Sequence, residues 1–511
     1  MDDLNNLNQS LLSKDGTSDF LEDLKALVQT SKEARAAMVQ SVILRALRPP
    51  TTNKRFNEIS EPEVSTFEWI LRPINAPQAE ESSVHGKQLE GSGSRPTEST
   101  ARISASSLLQ NWLRAGTGVF HVVGKPGSGK STFMKLLTMH PQTRKLLESW
   151  AASEKKERIV ARFFFSQLGV DDQKTVRGLL RGLTYDICND KPEIIGLLFP
   201  QYYHAGQSWQ LAATSPGGHG LDIPDHEIGN AFGRLISEPE ISRLFCISIF
   251  VDGLDEFEER DKSHSYLATR LQSWVREVQN AQSQSEATTL NQTSIKICIS
   301  SREYDSITNT FSAAQRLTLH HLTKPDIQAL VQNRLCNNHM FQTLQQSSAS
   351  RCKILIDSIT KDANGVFLWV VLLLKWLEDE LASGHPTLGR LETIVRDSPS
   401  ELDDFLRKIL ESIPKHNRFA SFLIFSMTLK LLGWRLSTGN RDSLQPKQKV
   451  AACRLRDYLT SSALWKSGRR QTPTAGKESW IRTCLSETTK KIGSRDWREL
   501  LLKLEVGHEG S

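Results

Sequence analysis

Apolar positions change their period along the chain. Between residues 18 and 48 they fall at helical spacing, with Leu21, Leu24, Leu27 and Val28, then Val39, Ile43 and Leu47, until Pro49-Pro50 stops the run. From Ala79 to Thr100 they almost vanish from a stretch rich in Glu, Ser, Gly and Gln, which predicts a mobile insertion. After Ser107 a short helix carrying Leu108, Leu109, Trp112 and Leu113 stops at Gly116, and continuous apolar runs follow at residues 119–123, 159–165, 244–251 and 295–300. Such runs, separated by helical stretches, predict a parallel sheet covered on both faces, an α/β fold. Beyond about residue 323 the spacing is helical throughout, and Leu402, Phe405, Leu406, Ile409, Leu410 and Ile413 form one broad apolar face.

These shifts divide the chain into an N-terminal helical segment (1–50), a segment holding the insertion near 79–100 (51–116), an α/β domain (117–318), an all-helical subdomain (319–436) and a tail (437–511). At 511 residues, 38% hydrophobic and 24% charged, the chain is long and apolar enough for packed cores, which excludes a disordered or fibrous protein. The tail is basic: residues 435–511 carry 16 Lys and Arg against 8 Asp and Glu, while the whole chain is only +6. Nucleic-acid binding would rest on that tail, but it shows no finger, RNP or helix-turn-helix spacing, so a solvated or partner-docking segment is the better reading. The apolar run VFLWVVLLL (366–374) is about half of the ~20 residues a membrane span needs and reads as a buried helix. Seven cysteines without a CxxC pair and an acidic start without a basic leader point to a reduced, cytoplasmic protein.

Chemistry concentrates at the ends of the predicted strands. Gly124-Lys-Pro-Gly-Ser-Gly129-Lys130-Ser131 fits GxxxxGK[ST], directly after an apolar strand and before a helical run. Glycines let the loop wrap a phosphate chain, and its N–H groups with the helix N-terminus make an anion site. Lys130 would reach the outer phosphates and the Ser131 hydroxyl would ligate Mg²⁺. The competing reading, an ordinary glycine turn, explains neither flank. Mg²⁺ also needs a carboxylate at the end of a neighbouring strand, and Asp252 in FCISIFVDGLDEF fits that role. Asp255 and Glu256 follow, where a carboxylate could orient or deprotonate a water, their plainer reading being a solvated acidic loop. Arg302, closing IKICISSR, would sense the terminal phosphate unless it only forms a surface ion pair.

On these motifs the chain resembles the NACHT class of STAND P-loop NTPases, in particular fungal chains with a nephrocystin-like nucleotide-binding domain. The stretches that carry the resemblance are RFNEI (55–59), TFEWI (66–70), GKPGSGKST (124–132), ARFFFSQ (161–167), VDGLDEF (251–257), ISSRE (299–303) and ANGVFLWVVLLL (363–374). The resemblance implies a signalling switch, closed with ADP and open and oligomerising with ATP or GTP, acting in non-self recognition or programmed cell death. It makes Gly124, Lys125, Pro126, Gly127, Ser128, Gly129, Lys130, Ser131 and Thr132 the phosphate site and Ser131 and Asp252 the Mg²⁺ ligands. Glu256 or Asp255 becomes the hydrolytic acid and Arg302 the sensor. Partners would be further copies of the chain or relatives. Residues 437–511 carry none of the resemblance.

Two other classes compete. A turnover enzyme would need an LSGGQ-like signature or an Arg-rich lid, and neither is visible; an adaptor would bind nucleotide statically and pair with full-length relatives. Thr323-Lys-Pro-Asp326 matches [NT]KxD, a guanine-reading pattern, but apolar residues at helical spacing follow it, so it reads as a capping box with Thr323 as N-cap. The base therefore stays open between ATP and GTP.

Overall fold

A computed structural model describes residues 33–49, 53–63, 66–73, 98–167, 169–207, 221–258, 263–283, 295–383 and 385–411. The helical spacing expected before residue 33, the insertion as far as residue 97, the last part of the helical subdomain (412–436) and the tail (437–511) lie outside the described residues.

Five strands, β1 (Gly118–Val123), β2 (Glu157–Phe164), β3 (Phe245–Asp252), β4 (Ile295–Ser301) and β5 (Arg316–Thr318), form one sheet in the order β2-β3-β4-β1-β5, with every pairing parallel. Alternate residues point to opposite faces, and both faces are buried. Val119, Ile247, Ile249, Ile297 and Ile299 pack under the helices over 33–47, Val176–Asp190, Asp225–Ser237 and His264–Ser283. Phe120, Val122, Phe250 and Cys298 pack under Glu98–Ala115, Lys130–Met139 and Pro141–Ser153. The five cysteines among the described residues are free and four are buried.

The sheet and its flanks differ from the sequence reading in three places. The strand of Asp252 is not a neighbour of β1, because β4 lies between β3 and β1. The helix before β1 starts at Glu98, inside the expected insertion, since its first half is polar and shows no apolar period. And β5, only three residues long, has too few positions to show a pattern in the sequence.

A second core belongs to the helices from Lys324–Cys336 through Leu402–Glu411. The run VFLWVVLLL lies in its central helix, Phe367–Leu381, where Trp369 is buried and its Nε1–H donates to Pro399 O at 2.7 Å. Among the described residues no helix is long and apolar enough to cross a membrane. The expected capping box is not formed. Thr323 is the N-cap of Lys324–Cys336, but its hydroxyl bonds to the carbonyls of His320 (3.2 Å) and Gly365 (3.1 Å), and its side chain caps nothing. Asp326 is instead turned across to the α/β side, where its Oδ2 accepts from Trp69 Nε1 at 3.0 Å and from Arg102. A buried carboxylate bound at two donors is worth more to the fold than a cap on an already proline-led helix.

Lys296, on central strand β4, is fully buried. Its amine closes the C-terminus of Glu98–Ala115, donating to Leu113 O (3.1 Å) and to Trp112 O (2.9 Å), which also accepts the Gly116 N–H at 2.9 Å, and it lies 3.8 Å over the ring of Trp150. Burial pushes its pKa down to about 7. A neutral amine still has two N–H groups, enough for both carbonyls. Lys296→Met should therefore cost roughly 1–3 kcal/mol, since Leu113 O loses the amine and Trp112 O keeps only the Gly116 N–H. Between about pH 7 and 10.5 the unfolded chain binds the proton that the folded chain has lost, so wild-type stability rises with pH there. The gap between wild type and Lys296→Met in thermal denaturation should be wider at pH 9 than at pH 6; equal gaps would show that the amine does not titrate in this range.

Candidate functional site

Because every strand runs the same way, the C-terminal ends of β1, β3 and β4 open on one edge of the sheet, where an α/β sheet has its crevice. A cavity of about 460 Å³ lies there. Its floor is the loop after β1 with the start of helix Lys130–Met139, one wall is the ends of β3 and β4, and the other is made by Arg55, residues 58–63, Thr66 and Phe67 with Leu330, Arg334, Phe367, Leu368 and Val371 of the helical unit.

The loop is shaped by its glycines. Gly127 and Gly129 have φ of +71° and +89°, and a Cβ would meet Leu368 Cβ at 2.7 Å in the first and the Phe67 ring at 3.0 Å in the second. Only glycine fits there. Lys130 Nζ donates to Gly124 O (2.7 Å) and Lys125 O (3.1 Å), closing the loop on itself, and burial lowers its pKa while Asp255, Asp252 and Glu256 oppose the shift. Pro126, Gly127, Gly129, Lys130, Ser131 and Thr132 line the cavity. Gly124, Lys125 and Ser128 stand behind it: Gly124 N–H donates to Ser301 O at 3.3 Å, Ser128 N–H to Lys125 O at 3.2 Å, and the Ser128 hydroxyl is buried.

The acidic residues have separate environments. Asp252 is 1% exposed and accepts from Ser300 Oγ at 2.5 Å, the same hydroxyl that takes the Gly253 N–H at 2.9 Å. Burial pushes its carboxyl up, opposed by the Ser300 and Ser131 hydroxyls and by the charges of Arg55 and Lys130. Asp255 is clamped by Arg302, whose Nε lies 3.1 Å from Oδ2 and whose N–H donates to Oδ1 at 3.0 Å. Glu256 is held more loosely, with Oε2 accepting from Gln167 N–H at 3.2 Å and Oε1 3.9 Å from Arg55; burial raises its pKa and Arg55 draws it down.

Sequence reasoning brings together Asp252, Asp255, Glu256, Arg302 and the loop, and the structure places all of them at this edge. It misses Ser300, Arg55, Phe67, Arg334 and Leu368. Ser300 and Arg55 stand in quoted stretches with nothing in their spacing to mark a role, and the rest depend on packing between distant segments.

The residues present fit a nucleoside phosphate with a divalent cation. The volume lies in the range of small-ligand sites, about 300–1,000 Å³, the glycine loop and Lys130 line the cavity, and the carboxylate pushed up by burial is the group whose charge a cation would restore.

Residues 99–302 match the family model described as Nephrocystin 3, N-terminal. A relative, Vegetative incompatibility protein HET-E-1 of Podospora anserina, is 25% identical over 257 residues, 49% of this chain. The chain covers only 16% of that protein's length. A solved structure, the Aeropyrum pernix ORC2 protein in ADPNP-ADP complexes, aligns over 77% of this chain and 93% of its own at 14% identity, with a TM-score of 0.30. The family match spans the loop and the ends of β3 and β4 that line the cavity, and with the relative it supports a NACHT-like nucleotide-binding domain over residues 99–302.

Proposed function

We propose that the chain is a nucleotide-operated signalling switch, cycling between a diphosphate-bound closed state and a triphosphate-bound open state, with slow Mg²⁺-dependent hydrolysis of ATP or GTP. One observation carries this reading: the cavity is walled by two separately packed units. Leu368 N–H, at the start of the central helix of the helical unit, donates to Gly127 O of the phosphate loop at 3.1 Å. Whatever fills the cavity therefore bears on how the two units dock. The loop N–H groups and Lys130 hold the phosphates, Ser131 and Asp252 hold the metal, and Glu256 takes the proton of the attacking water. The metal, when bound, offsets phosphate charge. The name of the relative, with its vegetative incompatibility, supports a role in non-self recognition, and the open form would pair with further copies or relatives.

Mass spectrometry of nucleotide released from purified protein, with light scattering on the same sample, tests the switch. The expected result is diphosphate on a monomer, and loss of that nucleotide in Lys130→Ala with the melting temperature changed by no more than about 4 °C. An empty wild-type site would count against the reading. Asp252→Asn should weaken the Mg²⁺-dependent part of triphosphate binding, whereas Glu256→Gln should bind normally and hydrolyse about 10²- to 10⁴-fold more slowly. Binding without hydrolysis in the wild type would favour the adaptor. Asp326→Ala, which cuts the tie from the helical unit to Trp69 and Arg102 outside the cavity, should shift the population toward the open, larger species in size-exclusion chromatography; an unchanged profile would remove this tie from the switch.

A further inference from the structure

Arg55 stands outside residues 99–302, on the one-turn helix Lys54–Glu58. That helix is tied down on the sheet edge. Phe56 is buried with its ring against Phe164 (centroids 5.2 Å apart), the Arg162 guanidinium lies 4.0 Å over it, and Lys135 of helix Lys130–Met139 donates to Ile59 O at 2.8 Å. From this base the Arg55 guanidinium reaches into the nucleotide cavity beside Glu256.

The charges around Glu256 make that position consequential. Asp255 and Asp252 face it from its own strand end and repel it. Arg302 is engaged with Asp255, and Lys130 with the Gly124 and Lys125 carbonyls. The Arg55 Nε is buried without a hydrogen-bond partner among the described residues, and a terminal nitrogen of the same guanidinium lies 3.9 Å from Glu256 Oε1. The Glu256 carboxylate is thus held at one oxygen by the Gln167 N–H after β2 and at the other by a cation from a segment that precedes the family match.

We propose that Arg55 is a positioning residue for hydrolysis, holding the Glu256 carboxylate toward the cavity so that the acid is set only while residues 53–63 are docked. This rests on Glu256 being the hydrolytic acid. In that step the water oxygen bonds to the terminal phosphorus, the bridging P–O bond breaks with its electron pair leaving on the diphosphate, and the water proton passes to the Glu256 carboxylate, yielding diphosphate and phosphate. Arg55 touches none of the reacting atoms; it sets the direction of the carboxylate that does.

The test is single-turnover hydrolysis of radiolabelled ATP and GTP by the full chain as wild type, Arg55→Gln, Arg55→Lys, Glu256→Gln and the double variant Arg55→Gln/Glu256→Gln, with diphosphate affinity measured on each. Arg55→Gln should slow hydrolysis about tenfold or more, part of the general-base contribution, with diphosphate affinity within about threefold of wild type and partial recovery in Arg55→Lys. Acting through Glu256, it should add nothing once that residue is gone, so the double variant should hydrolyse within about threefold of Glu256→Gln alone. A double variant slowed by the product of the two single effects, or wild-type rates in Arg55→Gln, would overturn the proposal while leaving Glu256 as the acid. If Arg55→Gln does not fold, Arg55→Lys and its combination with Glu256→Gln carry the same comparison. Wild-type rates in Glu256→Gln itself would overturn both.

Discussion

Strand β4 is the constraint on which the rest of the site depends. It lies between the strand that launches the phosphate loop and the strand that ends in Asp252, so neither can be placed except through it. Its first half is fixed by Lys296, which ties the sheet to the end of helix Glu98–Ala115. Its last residues then serve the site in turn: Ser300 orients Asp252, Ser301 O receives the Gly124 N–H, and Arg302 clamps Asp255. His121 of β1 adds a cross-link, with Nε2 2.8 Å from Ser301 Oγ. The Ser301 hydroxyl donates to Arg302 O, so it accepts from His121, which makes Nε2 the protonated nitrogen. Burial keeps that imidazole neutral, with a pKa lowered to about 3.

The same loop that holds to β4 on one side is packed against the helical unit on the other, and here steric fit replaces hydrogen bonding as the determinant. Gly127 has no room for a side chain because Leu368 stands over it, and Gly365, at φ +81°, has none because a Cβ would sit 2.0 Å from His320 O. Two glycines from different units therefore mark one seam. Larger residues at either would separate the helical unit from the loop before they disturbed either core, since the cores of the two units are distinct.

Much of this was legible in the sequence, and the reason is local. Continuous apolar runs announce buried strands, so four of the five strands and the parallel sheet follow from period alone, and the loop motif is one contiguous stretch between a strand and a helix. What stayed hidden depends on residues far apart in the chain. Strand order is not written in any run, so the place of β4 between β1 and β3 could not be read. The partner of Asp326 is 257 positions away at Trp69, which is why a capping box looked sufficient. Arg55 and Leu368 enter the cavity only because a segment before the sheet and a helix after it close over the same edge.

The charges at that edge are unequally matched, and the inequality says where ligand must act. Asp255 has a close cation in Arg302, Glu256 a more distant one in Arg55, and Asp252 only hydroxyls at hydrogen-bond distance. A divalent cation therefore gains most beside Asp252. For its guanidinium to reach a phosphate, Arg302 would have to leave Asp255 Oδ2, depriving a carboxylate that is 5% exposed of its charge partner, and losing one partner of a buried pair is costly. Asp255 would have to move or find another donor. Its backbone carbonyl is 3.1 Å from His264 Nε2, at the start of the long helix His264–Ser283. Asp255 is thus held at both ends, its carboxylate by Arg302 and its backbone carbonyl beside His264, so the residue joins the end of β4 to the start of that helix.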